Sequence, residues 1–297
     1  MLHYAITADD HCRRLESMLQ RLLPLAQPGY CRKLIRSGAC RLNNGRATPD
    51  TLLSAGDQLD LKESATVTGL LLGQKPPIDL LWQDDRLLVV NKPAGLAMHP
   101  AAEVDENLAD LASSWLEKRH NLPLRAYPVN RLDRGTSGVV LLATSSGSAG
   151  MLGRQIKEEG LDKRYLTVVE GILDGEGAID AALDGKESVS RYRCLASGEH
   201  NALLLVEPVT GRTHQIRRHL SLVGHPVVGD KRYNAAPLPA LPGIALHSFR
   251  TILQHPSEHN LLTVCAPLPA ALRELIIERC GLGKPRLLQL LTQIAQD

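Results

Sequence analysis

The fold is decided by residues 129–143, which read Val129-Asn130-Arg131-Leu132-Asp133-Arg134-Gly135-Thr136-Ser137-Gly138-Val139-Val140-Leu141-Leu142-Ala143. The apolar half predicts a buried strand, so the polar half is a loop on the end of a rigid element, a common place for catalytic residues. Arg131 and Arg134 flank Asp133, and adjacent cations favour an ionised carboxylate that serves as nucleophile or base. A structural turn or ion pair remains the alternative.

A second segment, Lys163–Gly171, has the alternation of a strand, with Lys163, Tyr165 and Thr167 on one face. At the rim of a cleft, a tyrosine can stack on a nucleobase, and its hydroxyl can take part in proton transfer. The alternative interpretation of Tyr165 is a half-buried strand residue without a role in chemistry.

A third segment, Gly211–Leu220, predicts a helix start with His214, Arg217 and Arg218 on one side. Such a place suits a phosphate or a carboxylate, and a solvated basic helix is the alternative. His214 and His225 raise the question of a metal, but no cysteine or carboxylate spacing supports one, so we predict no metal site.

The region around these segments mixes strands and helices irregularly. Strand patterns recur at 79–82, 87–90, 139–143, 165–170, 191–196 and 203–206, with helical patterns at 107–119, 148–159 and 214–222. This arrangement predicts an α+β catalytic domain at 79–280, built on a mainly antiparallel mixed sheet flanked by helices. We expect residues 281–297 to form a C-terminal extension with a short helix outside that fold.

The N-terminal residues 1–63 predict a separate small module. Apolar residues at helical spacing indicate a helix from Leu15 to Leu23, which Pro24 and Pro28 end, and a second helix spans 30–37. Asn44-Gly45 predicts a tight turn and 58–62 a strand. Residues 64–78, with Pro76-Pro77 near their end, have no clean period and are interpreted as a linker.

Basic residues are concentrated in this module, where the second helix carries Arg32, Lys33 and Arg36, and Arg41 follows. A module with one basic face can neutralise several RNA phosphates, whereas a solvated helix face is the plain alternative. The whole chain of 297 residues has a net charge of only +2, so its bulk charge does not identify a nucleic-acid partner.

Composition restricts the remaining classes of protein. The six cysteines lack a Cys-x-x-Cys pair and are expected to be reduced thiols. The N-terminus does not have the pattern of a signal peptide, and no apolar run approaches the roughly 20 residues that cross a bilayer. We therefore expect a soluble, cytoplasmic protein that does not contact a membrane.

Together these segments resemble the RluA-type pseudouridine synthases, and residues 30–42 with Ala55-Gly56-Asp57 resemble an S4-type RNA-binding module. The match covers about residues 79–269 in family order. It is carried by Arg131-Leu132-Asp133-x-x-Thr136-Ser137-Gly138, Lys163-x-Tyr165, Gly211-Arg212-Thr213-His214-Gln215-Ile216-Arg217, Asn91-Lys92-Pro93-Ala94-Gly95, His99-Pro100, Gly224-His225-Pro226, Ala245-Leu246-His247-Ser248 and His255-Pro256.

The resemblance implies a role for each matching residue. It makes Asp133 the catalytic carboxylate, acting either by attack on the sugar at C1′ or by removal of a sugar proton. It makes Arg217 the partner that keeps Asp133 ionised, and Tyr165 the residue that stacks on uracil and assists loss of the C5 proton. Substrate-binding residues are expected at Arg131, Asn130, Thr136, Lys163, Arg212, His214 and Gln215, and RNA-binding residues at Arg32, Lys33, Arg36 and Arg41.

Two positions depart from the family pattern: Asn130 stands where a histidine is frequent, and Gly135 stands where a polar residue is frequent. Both departures concern how the loop holds the flipped nucleotide rather than the presence of the aspartate.

The implied activity is isomerisation of uridine in structured RNA, most often 23S ribosomal RNA, by a monomer without a cofactor. No P-loop or dinucleotide fingerprint is present. The alternatives are a synthase acting on transfer RNA, a catalytically idle RNA-binding or ribosome-assembly factor, and a nucleoside hydrolase.

Overall fold

The computed structural model describes residues 1–71, 77–100, 106–233, 235–236, 238–256 and 260–297. Within these residues a large sheet has ten strands: β4 (Asp79–Gln83), β5 (Leu87–Lys92), β6 (Tyr127–Pro128), β7 (Ser137–Ala143), β8 (Asp162–Glu170), β9 (Glu176–Asp180), β10 (Val189–Ser197), β11 (Asn201–Pro208), β12 (Leu246–Gln254) and β13 (Leu261–Cys265). Their order is β4-β5-β7-β12-β8-β11-β10-β9, with β13 paired to β12 and β6 to β7.

The decisive apolar stretch forms β7, in which all seven residues are buried. Only the β7–β12 pairing is parallel among the described strand pairs; the others are antiparallel. The prediction of an α+β fold with a mainly antiparallel mixed sheet is confirmed. Helices flank this sheet: α4 (Leu108–His120), α5 (Ser146–Glu159), α6 (Gln215–Leu222), α7 (Ala270–Arg279) and α8 (Lys284–Gln296).

Gly138 allows β7 to approach β12 closely. Its φ is +113°, and a Cβ at this position would lie 2.2 Å from the Ser248 carbonyl oxygen. No side chain fits there, because the atoms it would meet are backbone atoms of the paired strand. The glycine therefore allows the strand that follows the Asp133 loop to pair with β12 in the middle of the sheet.

The N-terminal residues form a three-stranded antiparallel sheet with three helices and a core of their own. The sheet order is β1-β3-β2, from β1 (Leu2–Ala5), β2 (Cys40–Leu42) and β3 (Gln58–Leu61), and the helices are α1 (Leu15–Leu22), α2 (Pro28–Arg36) and α3 (Ala65–Leu71). Strand β1 was not predicted. Pro28 does not end α1; it begins α2, because the first turn of a helix tolerates a residue without an N–H.

Two segments that were expected to lie outside the folded domains belong to their cores, so these two predictions are wrong. Residues 65–71 of the expected linker are helical, and Val67 is buried in the N-terminal core; residues 72–76, including Pro76, lie outside the described residues. The expected C-terminal extension is part of the catalytic fold, because Leu287, Leu291 and Ile294 of α8 are buried in the main core. Their i, i+4, i+7 spacing gives α8 an apolar face that has to be covered.

The N-terminal residues dock on the edge of the large sheet. Arg13 is 1% exposed, and its guanidinium donates to Asp10 Oδ1 at 2.8 Å, Asp79 Oδ2 at 2.8 Å and the Leu80 carbonyl at 2.9 Å. With Ser17 Oγ as a fourth acceptor at 3.3 Å, this buried arginine makes a geometrically demanding contact. Arg13 ties the segment just before α1 to β4, and Ser17 of α1 donates to the Leu80 carbonyl at 2.7 Å, so the two cores have a defined relative position.

Candidate active site

Helix α6 begins in an unusual way at the site. Its first residue follows His214, whose backbone is left-handed with φ 55° and ψ 26°. A non-glycine residue in that region carries strain, which tends to occur at functional sites. The turn places Arg217 in the first turn of α6, pointing back at the loop before β7.

Arg217 joins two carboxylates. Its Nη1 donates to Asp133 Oδ2 at 2.8 Å, while Nε and Nη2 donate to the two oxygens of Asp230 at 2.6 and 2.9 Å. The side chains of Arg217, Asp133 and Asp230 are 10%, 18% and 2% exposed. Burial alone would lower the pKa of Arg217, but the hydrogen bonds to Asp230 and Asp133 raise it above its ordinary value. The guanidinium is therefore a permanent cation beside Asp133.

His214 lies against the other oxygen of Asp133. Its Nε2 is 3.6 Å from Asp133 Oδ1, and its Nδ1 shares a 2.9 Å hydrogen bond with the Tyr233 hydroxyl. Burial lowers the pKa of His214 despite the nearby Asp133 charge. At neutral pH the imidazole is therefore mainly neutral, so Arg217 is the principal cation facing Asp133.

One cleft of about 320 Å³ opens above Asp133, and all ten residues that the sequence predicted to be catalytic or substrate-binding line it. Its volume falls at the small end of the roughly 300–1,000 Å³ that ligand sites occupy. The sequence-distant segments thus meet at one place: Asn130, Arg131, Asp133, Thr136, Lys163, Tyr165, Arg212, His214, Gln215 and Arg217.

Tyr165 forms part of the wall of this cleft on β8 and is 7% exposed. Burial, and then the charge of Asp133, raise the pKa of Tyr165 to about 12. The residue is therefore a neutral phenol at physiological pH, with an aromatic ring available for stacking. Burial also lowers the pKa of Lys163, two residues before it on the same strand.

Some of the remaining predicted residues lie exposed at the opening of the cleft, and others make hydrogen bonds that support its walls. Arg131 and Arg212 are exposed at the mouth of the cleft, where a phosphate backbone can reach them. The amide of Gln215, in contrast, is committed to protein partners, accepting from Thr210 and the Arg212 N–H and donating to the Val189 carbonyl and Ser190. Gln215 holds the loop before α6 and has no free donor for a substrate.

Asn130 also has a scaffold contact. Its Oδ1 accepts the Leu141 N–H at 2.8 Å and ties the loop to β7. Its Nδ2 is buried and has no hydrogen-bond partner among the described residues. The other departure from the family pattern, Gly135, accepts the Ile244 N–H through its carbonyl at 3.0 Å.

Sequence reasoning did not assign three residues around Asp133: Asp230, Tyr233 and Lys92. The Lys92 side chain is fully buried, and its Nζ donates to the carbonyls of Pro93 and Leu96 at 2.9 Å and of Arg134 at 3.3 Å. Burial lowers the pKa of Lys92 to about 8. Lys92 lies in a segment that the sequence singled out, residues 91–95, but only the fold shows the partners of Lys92 and Asp230.

Three of the four predicted RNA-binding residues, Lys33, Arg36 and Arg41, are exposed on the N-terminal module. Arg32 is different, because its Nε donates to the buried Glu16 at 2.9 Å and its guanidinium lies 5.0 Å from the Trp82 ring. The prediction for Arg32 is corrected: its side chain turns inward because a carboxylate and an aromatic face of the catalytic domain bind it there.

Neither a membrane-spanning helix nor a metal-holding cluster is present in the described part of the chain. None of its helices combines the length and the apolar character needed to span a bilayer. Within the same residues, no group of three or more His, Cys, Asp or Glu side chains is arranged to hold a metal ion.

The chain is similar to known proteins over most of its length. The sequence profile of the RNA pseudouridylate synthase family matches residues 86–222. An uncharacterised RNA pseudouridine synthase of Synechocystis is 31% identical, with 89% of this chain and 88% of the relative covered. Ribosomal large subunit pseudouridine synthase C of Escherichia coli is 29% identical, with 91% and 93% covered.

Solved structures of two human proteins share the fold. Human RNA pseudouridylate synthase domain containing 1 has a TM-score of 0.55 at 26% identity and covers 74% of this chain and 96% of its own. Domain containing 4 has a TM-score of 0.56 at 23% identity, with 67% and 91% covered.

Proposed function

Because the chain belongs to the RluA-type RNA pseudouridine synthases, and is thus an isomerase of uridine in RNA, we propose that Asp133 is its catalytic residue and large-subunit ribosomal RNA its substrate. The observation that carries the assignment of Asp133 is its 2.8 Å ion pair with Arg217 at the base of the cleft. This contact with a buried permanent cation fixes the direction in which the Asp133 side chain faces the cleft.

The chemistry requires the base to leave its stack, which costs a few kcal/mol. The N1–C1′ bond breaks, the uracil rotates, and a C5–C1′ bond forms; the proton lost from C5 is balanced by one gained at N1. Asp133 acts on the ribose, by attack at C1′ or by removing a sugar proton, and both routes start from the carboxylate. A cleft of about 320 Å³ accommodates one flipped nucleotide rather than a duplex.

Tyr165 supplies the stacking surface for the flipped uracil. Its ring lies in the cleft wall, and as a neutral phenol it is suited to hydrogen bonding at the base and to relaying the C5 proton rather than to permanent negative charge. Arg131, Lys163 and Arg212 surround the cleft and contact the sugar–phosphate backbone, while His214 and Thr136 limit the space around Asp133.

The N-terminal module, residues 1–63, binds RNA through Lys33, Arg36 and Arg41. These three side chains are exposed, and exposed lysines and arginines bind phosphates with the release of counterions. The contacts of Arg13 and Ser17 with β4 keep this face at a fixed distance from the cleft. A large folded RNA suits this separation better than a short single strand.

Ribosomal RNA is preferred over transfer RNA because a relative that aligns over 91% of this chain is named as acting on the ribosomal large subunit. The test is to map pseudouridines in 23S ribosomal RNA and transfer RNA from cells with and without the gene, and to repeat the reaction with purified protein and unmodified transcripts. Loss of one or more pseudouridines from 23S RNA, restored by the purified protein, is expected. Loss confined to transfer RNA would replace the proposed substrate.

Tritium release from C5-labelled uridine in the transcript measures the rate of the reaction. Whether free uracil appears distinguishes isomerisation from hydrolysis of the glycosidic bond. Free uracil in the medium would indicate hydrolysis, whereas tritium release with the base retained in the RNA indicates isomerisation.

A further inference from the structure

Asp230 is a buried carboxylate that the proposed chemistry does not use. It lies in the turn after Val228, with a side chain 2% exposed. It receives both the Nε and the Nη2 hydrogen bonds of Arg217, at 2.6 and 2.9 Å, and a longer one of 3.3 Å from the Arg232 N–H. Burying a carboxylate is unfavourable unless its oxygens are satisfied, and here the principal partner is Arg217.

We propose that Asp230 is a positioning residue for the isomerisation, which holds the Arg217 guanidinium by one edge so that Nη1 is presented to Asp133. The proposal rests on the proposed catalytic role of Asp133. It adds a second carboxylate to the site, acting on the substrate only through Arg217.

The geometry of guanidinium explains why a second carboxylate has this effect. Its five N–H donors lie in one plane in a rigid fork. Asp230 occupies the edge formed by Nε and Nη2, which fixes the plane and leaves Nη1 to point at Asp133 Oδ2 at 2.8 Å. The Tyr233 ring lies 5.0 Å from the Arg217 guanidinium and restricts it further.

The charges around Arg217 also support a positioning role for Asp230. Arg217 lies in the first turn of α6, where the positive end of the helix disfavours a cation. The contacts with Asp230 and Asp133 overcome that repulsion, because together they raise the pKa of Arg217 above its ordinary value. Asp133 is thus oriented by Arg217 without being the sole counterion to it.

The surface pair Asp184 and Arg218 provides a matched control. Arg218 is the next residue of α6 and donates to both oxygens of Asp184 at 2.8 and 3.0 Å, but the Asp184 side chain is 72% exposed and outside the cleft. Asp184→Asn therefore breaks the same kind of two-bond contact on the same helix without touching Arg217.

The experiment measures single-turnover tritium release and RNA affinity for Asp230→Asn, Asp230→Glu, Asp184→Asn and Asp133→Asn. Asp230→Asn is expected to slow the single-turnover rate on the order of 10²-fold, the effect of a displaced catalytic group, with the Kd for RNA unchanged. Asp230→Glu should recover part of the rate, and Asp184→Asn should match wild type. A wild-type rate for folded Asp230→Asn overturns the proposal.

A double-mutant cycle separates positioning from general structural support. In an Arg217→Lys background the fork is absent, so Asp230→Asn should have little further effect on the rate. An equal loss of rate in both backgrounds, in step with a fall in the thermal midpoint, shows a structural role and overturns the proposal.

Two further outcomes complete the test. If Asp230→Asn does not fold, Asp230→Glu decides alone: a native midpoint with a reduced rate supports positioning, and a wild-type rate overturns it. An active Asp133→Asn protein would overturn the role of Asp133 and this proposal together, whereas an inactive Asp133→Asn beside a wild-type Asp230→Asn overturns only this one.

Discussion

Arg217 Nη1 lies 2.8 Å from Asp133 Oδ2, although 84 positions of sequence separate the two residues. The contact brings the first turn of α6 against the loop that precedes β7. Neither segment forms the site alone, because the loop supplies the carboxylate and the helix supplies the cation. The activity should therefore be sensitive to changes on either side of this contact.

Asp133→Asn is expected to abolish pseudouridine formation and leave RNA binding largely intact. The amide keeps the size of the side chain but removes the charge needed for attack or proton removal, and Arg217 retains Asp230 as its counterion. Tritium release measures the activity and filter binding the affinity. Substantial turnover by the purified variant would refute the catalytic role of Asp133.

Tyr165→Phe should bind RNA normally and slow the reaction by about 10²-fold or more, the contribution typical of a positioned acid–base group. Phenylalanine keeps the ring for stacking but lacks the hydroxyl, whose pKa is raised to about 12 in the buried site. Single-turnover rates with saturating enzyme separate this step from binding. A wild-type rate would restrict Tyr165 to stacking.

Much of the fold was predictable because its signals are local. The apolar run of β7 and the tyrosine strand β8 have periods that short windows reveal. The gathering of ten residues in one cleft was predictable only from the family pattern, since the spacing of Asp133 alone leaves a turn or an ion pair open.

The remaining errors concern partners that are distant in sequence. The basic pattern of α2 does not reveal that Arg32 meets Trp82, and nothing local to Asp230 indicates that its partner is Arg217. Strand β1 alternates between half-buried and exposed residues at a sheet edge, which is a weak signal. The apolar stripe of α8 was visible in the sequence, but the surface it covers is formed by the whole chain.

Gly138→Ala should destabilise the protein by about 2–4 kcal/mol, the range for backbone strain combined with steric overlap. The new Cβ would lie 2.2 Å from the Ser248 carbonyl oxygen, on backbone that cannot move without opening the β7–β12 pairing. Denaturant unfolding measures the effect. Gly150→Ala is the control, because a Cβ added at this position in α5 would meet no atom within 4 Å apart from the neighbouring backbone of its own helix, and it should be neutral or stabilising by about 0.5–1 kcal/mol.

Replacing Lys33 and Arg36 together by Gln should weaken binding to large RNA and reduce the slope of log K against log salt by about 1.5–2, as expected for two lost phosphate contacts. Both side chains are exposed on α2. The matched double variant Lys284→Gln with Arg286→Gln removes two exposed charges at the start of α8 and should leave the slope unchanged. An unchanged slope for the α2 variant would show that Lys33 and Arg36 do not contact RNA phosphates.

Lys92 makes the stability of the protein depend on pH in the alkaline range. Burial lowers the pKa of Lys92 to about 8, whereas that of a solvated lysine is near 10.5. Between these values the unfolded chain binds a proton that the folded chain has released, so this residue makes stability rise with pH from about 8 to 10.5. Below pH 8 both states are protonated and its contribution is constant.

Lys92→Met removes this titration. The free energy of unfolding of wild type relative to Lys92→Met should therefore be flat at neutral pH and increase by up to about 3 kcal/mol between pH 8 and 10.5. The comparison cancels the buried cysteines, which act in the opposite direction because burial raises the pKa of thiols such as Cys265 to about 12. Lys118→Met, at an exposed position of α4, controls for loss of a lysine. A difference between wild type and Lys92→Met that stays constant from pH 7 to 10.5 would show that Lys92 keeps its proton through this range.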